Sequence, residues 1–170
     1  AFFFFFCNVV YVLIMAGRAC LTFTLGGMAF WAVDYFVGFL TMDLDKVTLI
    51  FGLISAFAGL IGAVCGGVIL DRLGGAQGKW GIPIALTQCA VSTALGTVCG
   101  ALCVMTNIKG LAFTMAGLAT FFMCAAFSPI NCSILRISPP DLRAFGISLD
   151  LFVMHLFGDF PSPVVVGWLT

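Results

Sequence analysis

The sequence predicts an all-α fold, a polytopic membrane helical bundle, and three observations carry that reading. Hydrophobic residues make up 62% of the 170-residue chain and charged residues only 8%, with no glutamate at all. A soluble domain carries about 25% charged residues because its surface must face water. This chain has almost nothing with which to cover a soluble core, so its solvent must be lipid. Five stretches also reach the ~20 mainly apolar residues that a spanning helix requires. The connectors between them are too short to hold a soluble domain.

Taken in order, the spans run over about 8–37, 47–70, 81–105, 110–135 and 144–169. Between them lie TMDLDK, DRLGGAQGKW, TNIK and RISPPDLR. Lysine and arginine in short loops favour the cytoplasmic side. Connectors two and four carry Arg72, Lys79, Arg136 and Arg143, against Lys46 and Lys109 in connectors one and three. The expected orientation therefore starts the first helix in the cytoplasm and ends the fifth outside. The chain opens on AFFFFFC, without the basic stretch or cleavage site of a secretory signal. It closes on VVVGWLT at the end of a span, and reads as an internal piece of a larger membrane protein.

Small residues let helix backbones approach in lipid. GLIGAVCGG (59–67) sets Gly62 and Gly66 four apart, and GTVCG (96–100) repeats the interval, so both stretches are expected to be packing faces. The eight cysteines include no C-x-x-C, and a single histidine is available to join them. They read as small buried hydrophobes, with no metal site, no disulfide framework and no cofactor expected. A net charge of zero offers no surface for nucleic acid.

Ionisable residues inside the membrane are costly and by default mark a cavity or a partner. Arg18 lies about ten residues into the first span and Asp34 about 16 residues beyond it, ~24 Å along a helix, so the two cannot pair. Arg18 either serves a cavity or snorkels to the boundary, whereas Asp34 belongs at the boundary. Asn131, after Pro129 in the fourth span, reads as an interhelical hydrogen-bonding residue. The fifth span concentrates the rest in HLFGDFPSP (155–163). His155 and Asp159 are four apart and share a helix face. Pro161 and Pro163 remove backbone donors that the carbonyls of residues 157 and 159 would otherwise receive. Freed backbone is tolerated at membrane depth only where other groups or cavity water satisfy it. Histidine changes charge near neutral pH, so this stretch suits a proton-linked or polar-substrate site. Asp150 can face the same cavity or its cytoplasmic mouth.

Four stretches, NVVYVLIMAGRACLTFTLGGMAFW, GGVILDRLGG, ISPPDLRA and HLFGDFPSPVVVGWL, together resemble the second half of a Spinster-family transporter of the major facilitator superfamily. The resemblance implies helices seven to eleven of a twelve-helix protein, that is, five spanning helices of its C-terminal six-helix bundle. The N-terminal six-helix half of the same chain would then be its structural partner. It implies alternating-access transport of a lipid or lysolipid, such as lysophospholipids or sphingosine phosphates, linked to protons. Carried over by residue, Gly67, Asp71, Arg72 and Gly74 match the superfamily loop motif that governs conformational switching. His155, Gly158, Asp159, Ser162 and Pro163 match the eleventh-helix signature, and Gly26, Gly27, Phe30 and Trp31 match the seventh-helix end that bends in gating. Val33 stands where the family tends to have proline, and Arg18 where an uncharged residue is expected.

The transport and proton-coupling candidates are thus His155, Asp159, Asp150, Arg18 and Asn131, with Gly26, Gly27, Trp31, Pro161 and Pro163 at helix breaks or gates. The expected setting is an integral multi-pass protein of the endosomal, lysosomal or plasma membrane, surrounded by bilayer lipids. Two alternatives stay open: the same fold carrying a small organic anion or sugar, or a non-transporting membrane scaffold. An enzyme is not expected, because no nucleophile–base pair or phosphate-binding loop is present.

Overall fold

A computed structural model describes residues 2–38, 41–75 and 79–169. Among them there is no strand, and five helical spans are long and apolar enough to cross a membrane: Val9–Gly38, Leu44–Arg72, Gly81–Met105, Lys109–Ile137 and Pro140–Trp168. The protein is an all-α, polytopic integral membrane protein. Leu13, Phe57, Leu60, Val98 and Phe152 all point outward. Such residues form the core of a soluble protein; here they face the hydrocarbon that replaces water.

The chain divides into two units. The first joins Ala1–Phe30 to Ile130–Thr170. It contains the short α1 (Phe2–Cys7) and most of α2 (Val9–Gly38). It also holds the larger part of α6 (Phe127–Ile137), then α7 (Arg143–Met154) and α8 (Ser162–Leu169). Asn8 starts α2: its side-chain oxygen accepts from the backbone N–H of Val10 at 3.1 Å and of Tyr11 at 3.3 Å, the role asparagine fills well at a helix N-cap. Phe5 is fully buried, with its ring 4.7 Å from Tyr11 and 5.8 Å from Phe145. The Tyr11 hydroxyl donates to the Gly146 carbonyl at 2.6 Å. That bond ties α2 to α7 and satisfies a group that hydrocarbon cannot.

The second unit, Trp31–Pro129, packs α3 (Leu44–Arg72), α4 (Gly81–Met105) and α5 (Lys109–Ala125). Lipid tails are as apolar as leucine, so burial alone supplies little drive between these helices. Close backbone contact has to supply it. A methyl group added at Gly62 would run into the Phe121 carbonyl, and one at Gly66 into the Ala125 carbonyl. At Gly96 it would meet the Met123 side chain at 2.8 Å. The second glycine of that pair, Gly100, has nothing within 4 Å. The interval was therefore a packing signal at 62/66 and only half of one at 96/100.

Polar groups cross-link these helices, and the start of α6, within the same unit. Ser128 Oγ donates to the Ala63 carbonyl at 2.8 Å, and Gln88 Nε2 to the Gly66 carbonyl at 2.7 Å. The Cys103 thiol donates to the Ala112 carbonyl at 3.3 Å. At one end Phe36 stacks on Phe113 at 4.3 Å and touches Phe51. The cysteines do not all follow the expected burial: Cys7 and Cys20 are exposed.

Candidate functional site

Arg18 does not snorkel. It is 5% exposed, inside the first unit, where α2, α6 and α7 meet. Nη1 donates to Asp150 Oδ2 at 2.6 Å and to Asn131 Oδ1 at 2.7 Å. Nε donates to the Met154 sulfur at 3.1 Å. The Arg18 carbonyl in turn accepts from the Thr22 hydroxyl at 2.9 Å. Arg18 and Asp150 each lie about ten residues from the start of their spans, ~15 Å along the helix. That shared depth is what lets them meet. Asp150 is fully buried, and its second oxygen, Oδ1, has no hydrogen-bond partner among the described residues. The pair is neutral overall and incompletely satisfied on its acidic side. Asn131 takes the interhelical role expected of it, with Arg18 as its donor.

A second pair stands further along the fifth span. His155 Nδ1 and Asp159 Oδ2 are 2.6 Å apart, and both side chains are open, 63% and 41% exposed. Here the helix leaves α geometry. Residues His155–Asp159 form a π-helical turn in which the Phe160 N–H donates to the His155 carbonyl, five residues back, at 3.0 Å. Pro161 has no N–H with which to continue the ladder. After a turn at Phe160 and Pro161, α8 begins at Ser162. Ser162 Oγ lies 3.4 Å from the Asp159 carbonyl, the one that Pro163 leaves without its helical donor. Single π turns in α-helices recur at functional sites. Asp150 does not share an environment with His155: one is sealed inside the unit, the other open.

α2 passes unbroken through Gly26 and Gly27. In this conformation these glycines allow close approach. A methyl group at Gly26 would meet Ser162 Oγ at 2.7 Å and Asp159 Oδ1 at 3.3 Å, and one at Gly27 the Val166 side chain at 3.2 Å. From the other side Gly158 fits against Thr22 and the Ala19 carbonyl. Trp31 lies further along the same helix. The visible break is at Pro161.

The loop-motif residues have a local explanation of their own. Gly74, at φ +72°, ends α3 with two bonds: its N–H donates to the Asp71 carbonyl and that of Gly75 to the Leu70 carbonyl, each at 3.0 Å. This is the Schellman arrangement, which requires a left-handed residue and so favours glycine. Asp71 and Arg72 are exposed on the last turn, and Gly67 lies near Ser128. Among the described residues no three His, Cys, Asp or Glu side chains converge to hold a metal.

Three Arabidopsis thaliana proteins match nearly the whole chain. "Probable sphingolipid transporter spinster homolog 2" is 30% identical over 94% of it, homolog 3 is 28% identical over 93%, and homolog 1 is 24% identical over 95%. The chain is similar to Spinster transporters throughout. The Spinster-like chain spans only 30–32% of the length of these relatives. No family model matches it, and no solved structure matches it significantly.

In the sequence Arg18, Asp150 and Asn131 stand as three separate candidates, with nothing local to bring them together. Met154 and Tyr11 were missed as partners of this region, and Gln88 was passed over. Gln88 was detectable as a carboxamide in the first third of a mainly apolar stretch.

Proposed function

We propose that this protein is a secondary active transporter of lipid-like substrates, of the lysophospholipid or sphingosine phosphate type, working by alternating access and linked to protons. The observation that carries the reading is the match of more than nine-tenths of the chain to relatives named as sphingolipid transporters. Alternating access needs a second helical bundle across the substrate site, and those relatives are about three times as long as this chain. The proton link is assigned to His155 and Asp159. Their contact at 2.6 Å, their openness and the π turn beneath them make a titratable pair on backbone able to change its hydrogen bonding. The switching role is assigned to Asp71 and Arg72 at the exposed end of α3. A small organic anion is the weaker reading, because the buried cation that would attract it, Arg18, is already neutralised by Asp150.

The test is uptake of labelled lysophospholipid and sphingosine phosphate into vesicles carrying the intact protein, with and without an inward proton gradient. Gradient-driven uptake is expected, and His155→Ala is expected to reduce it to the level of protein-free vesicles while folded protein remains. Unchanged pH-dependent flux in His155→Ala would remove His155 from the mechanism. Asp71→Asn is expected to slow exchange between inward- and outward-open states, read by fluorescence from paired labels, with little change in substrate affinity. A large affinity loss at normal exchange rate would contradict that role.

A further inference from the structure

Gly26 and Gly27 stand side by side inside α2, and a glycine within a helix costs stability relative to alanine. The local backbone does not require one at Gly26. The helix runs through it, and among the described residues only Gly74 is a glycine with positive φ. The reason lies in what packs over it. A methyl group there would meet Ser162 Oγ at 2.7 Å, Asp159 Oδ1 at 3.3 Å and Asp159 Cα at 3.4 Å. The Asp159 carboxylate is therefore held on two sides. Oδ2 is 2.6 Å from His155 Nδ1, and Oδ1 occupies the space that a side chain at Gly26 would take.

The fifth span needs that support, because its own hydrogen bonds hold this stretch weakly. The Phe160 N–H goes to the His155 carbonyl, and Pro161 and Pro163 have none to give. The Leu156 carbonyl thus has no ladder donor four or five residues on. The Asp159 carbonyl loses its helical donor to Pro163 and meets Ser162 Oγ at 3.4 Å, a long bond. Position has to come from packing against α2. A methyl group on Gly158 would meet Thr22 Cβ at 2.9 Å and the Ala19 carbonyl at 3.0 Å. Gly26 makes the next contact along the same face of α2, where Ala19, Thr22, Phe23 and Gly26 fall at intervals of three and four. None of these four is charged. Ser162 is fully buried, so a hydroxyl struck from Gly26 has no open space to swing into.

We infer that Gly26 is a positioning residue, whose missing side chain seats the Asp159 carboxylate and holds it on His155. The role rests on the reading of His155 and Asp159 as the proton-linked pair. The Oδ2–Nδ1 contact is already short for a charge-assisted bond, so the carboxylate has no room to move toward the ring. A methyl group at Gly26 turns it instead.

The test reads contact and transport separately, on the intact protein in nanodiscs and in vesicles. With histidine ring nitrogens labelled, the His155 NMR signal is the one that disappears in His155→Ala, and Asp159→Ala gives its Nδ1 position without the carboxylate. Gly26→Ala is expected to move the Nδ1 signal most of the way to that position. Gly17→Ala adds the same methyl group to α2 where nothing lies within 4 Å, and is expected to leave the signal in place. Gly26→Ala/Ser162→Ala, compared with Ser162→Ala, removes the closer obstacle but keeps the one at Asp159. It is expected to shift the signal likewise, and serves if Gly26→Ala alone does not fold. In vesicles, the ratio of uptake with the proton gradient to uptake without it is expected to fall about tenfold in Gly26→Ala, the factor of one hydrogen bond to a charged group. A purely structural defect would lower both uptakes together and spare the ratio. An unmoved Nδ1 signal in the folded variants, an equal shift in Gly17→Ala, or a moved signal with the ratio spared would overturn the positioning role. Gradient-driven uptake that survives His155→Ala would instead defeat the proton-link reading, and the NMR signal would still decide whether Gly26 seats Asp159.

Discussion

Arg18→Leu is expected to destabilise the protein by about 3 kcal/mol, because removing one member of a buried ion pair strands the other. Asp150 is fully buried, and its Oδ1 already lacks a partner among the described residues. Without Arg18 it would have to hold an unpaired charge or take up a proton. Asn131 and Met154 would lose their donor in the same step. The double variant Arg18→Leu/Asp150→Leu is expected to regain most of the loss, since an apolar pair of similar volume often substitutes for a buried ion pair at little cost. Thermal unfolding of the three proteins in nanodiscs checks this. A double variant no more stable than Arg18→Leu would show that the site is held by shape rather than by charge.

Gly66→Leu is expected to have a comparable effect in the second unit, about 3 kcal/mol, at the upper end of ordinary overpacking. The reason is that the new side chain meets backbone. The obstacle at Gly66 is the Ala125 carbonyl, which belongs to a helix and cannot swing aside as a side-chain tip can. The same change would push away the Gly66 carbonyl that holds Gln88. Gly100→Ala is the matched control. Nothing lies within 4 Å of a methyl group there, so it is expected to be neutral or, by better helix propensity, stabilising by up to ~1 kcal/mol. Unfolding midpoints of the purified variants decide the matter. A wild-type midpoint for Gly66→Leu would contradict the close α3–α5 contact.

How much of this was legible beforehand follows from how far apart the interacting residues are in the chain. The helical spans were readable because their signal, a continuous apolar run of membrane length, is local. The His155–Asp159 contact was readable for the same reason: four residues on one helix fix the geometry. Pro161 and Pro163 announced broken hydrogen bonding, although not that the chain would answer with a π turn and the Ser162 hydroxyl.

Arg18 was different. Its position in the first span left two fates open, and the choice rested on Asp150, 132 residues later. The glycine intervals were equally ambiguous, since Gly96 and Gly100 look alike in sequence and only one touches a neighbour.

The sequence by itself determined the solvent, the all-α class, the spans and the short-range pair, because each depends on composition or on residues within one helix. Only the tertiary structure decided which helix faces meet, and with them the burial of Arg18 on Asp150, the glycines that carry packing and the bond that holds Gln88 to Gly66. Those outcomes depend on depth and rotation of separate helices in lipid. There, with no hydrophobic force between helices to mark the contact faces, the pattern of apolar residues holds little information about partners.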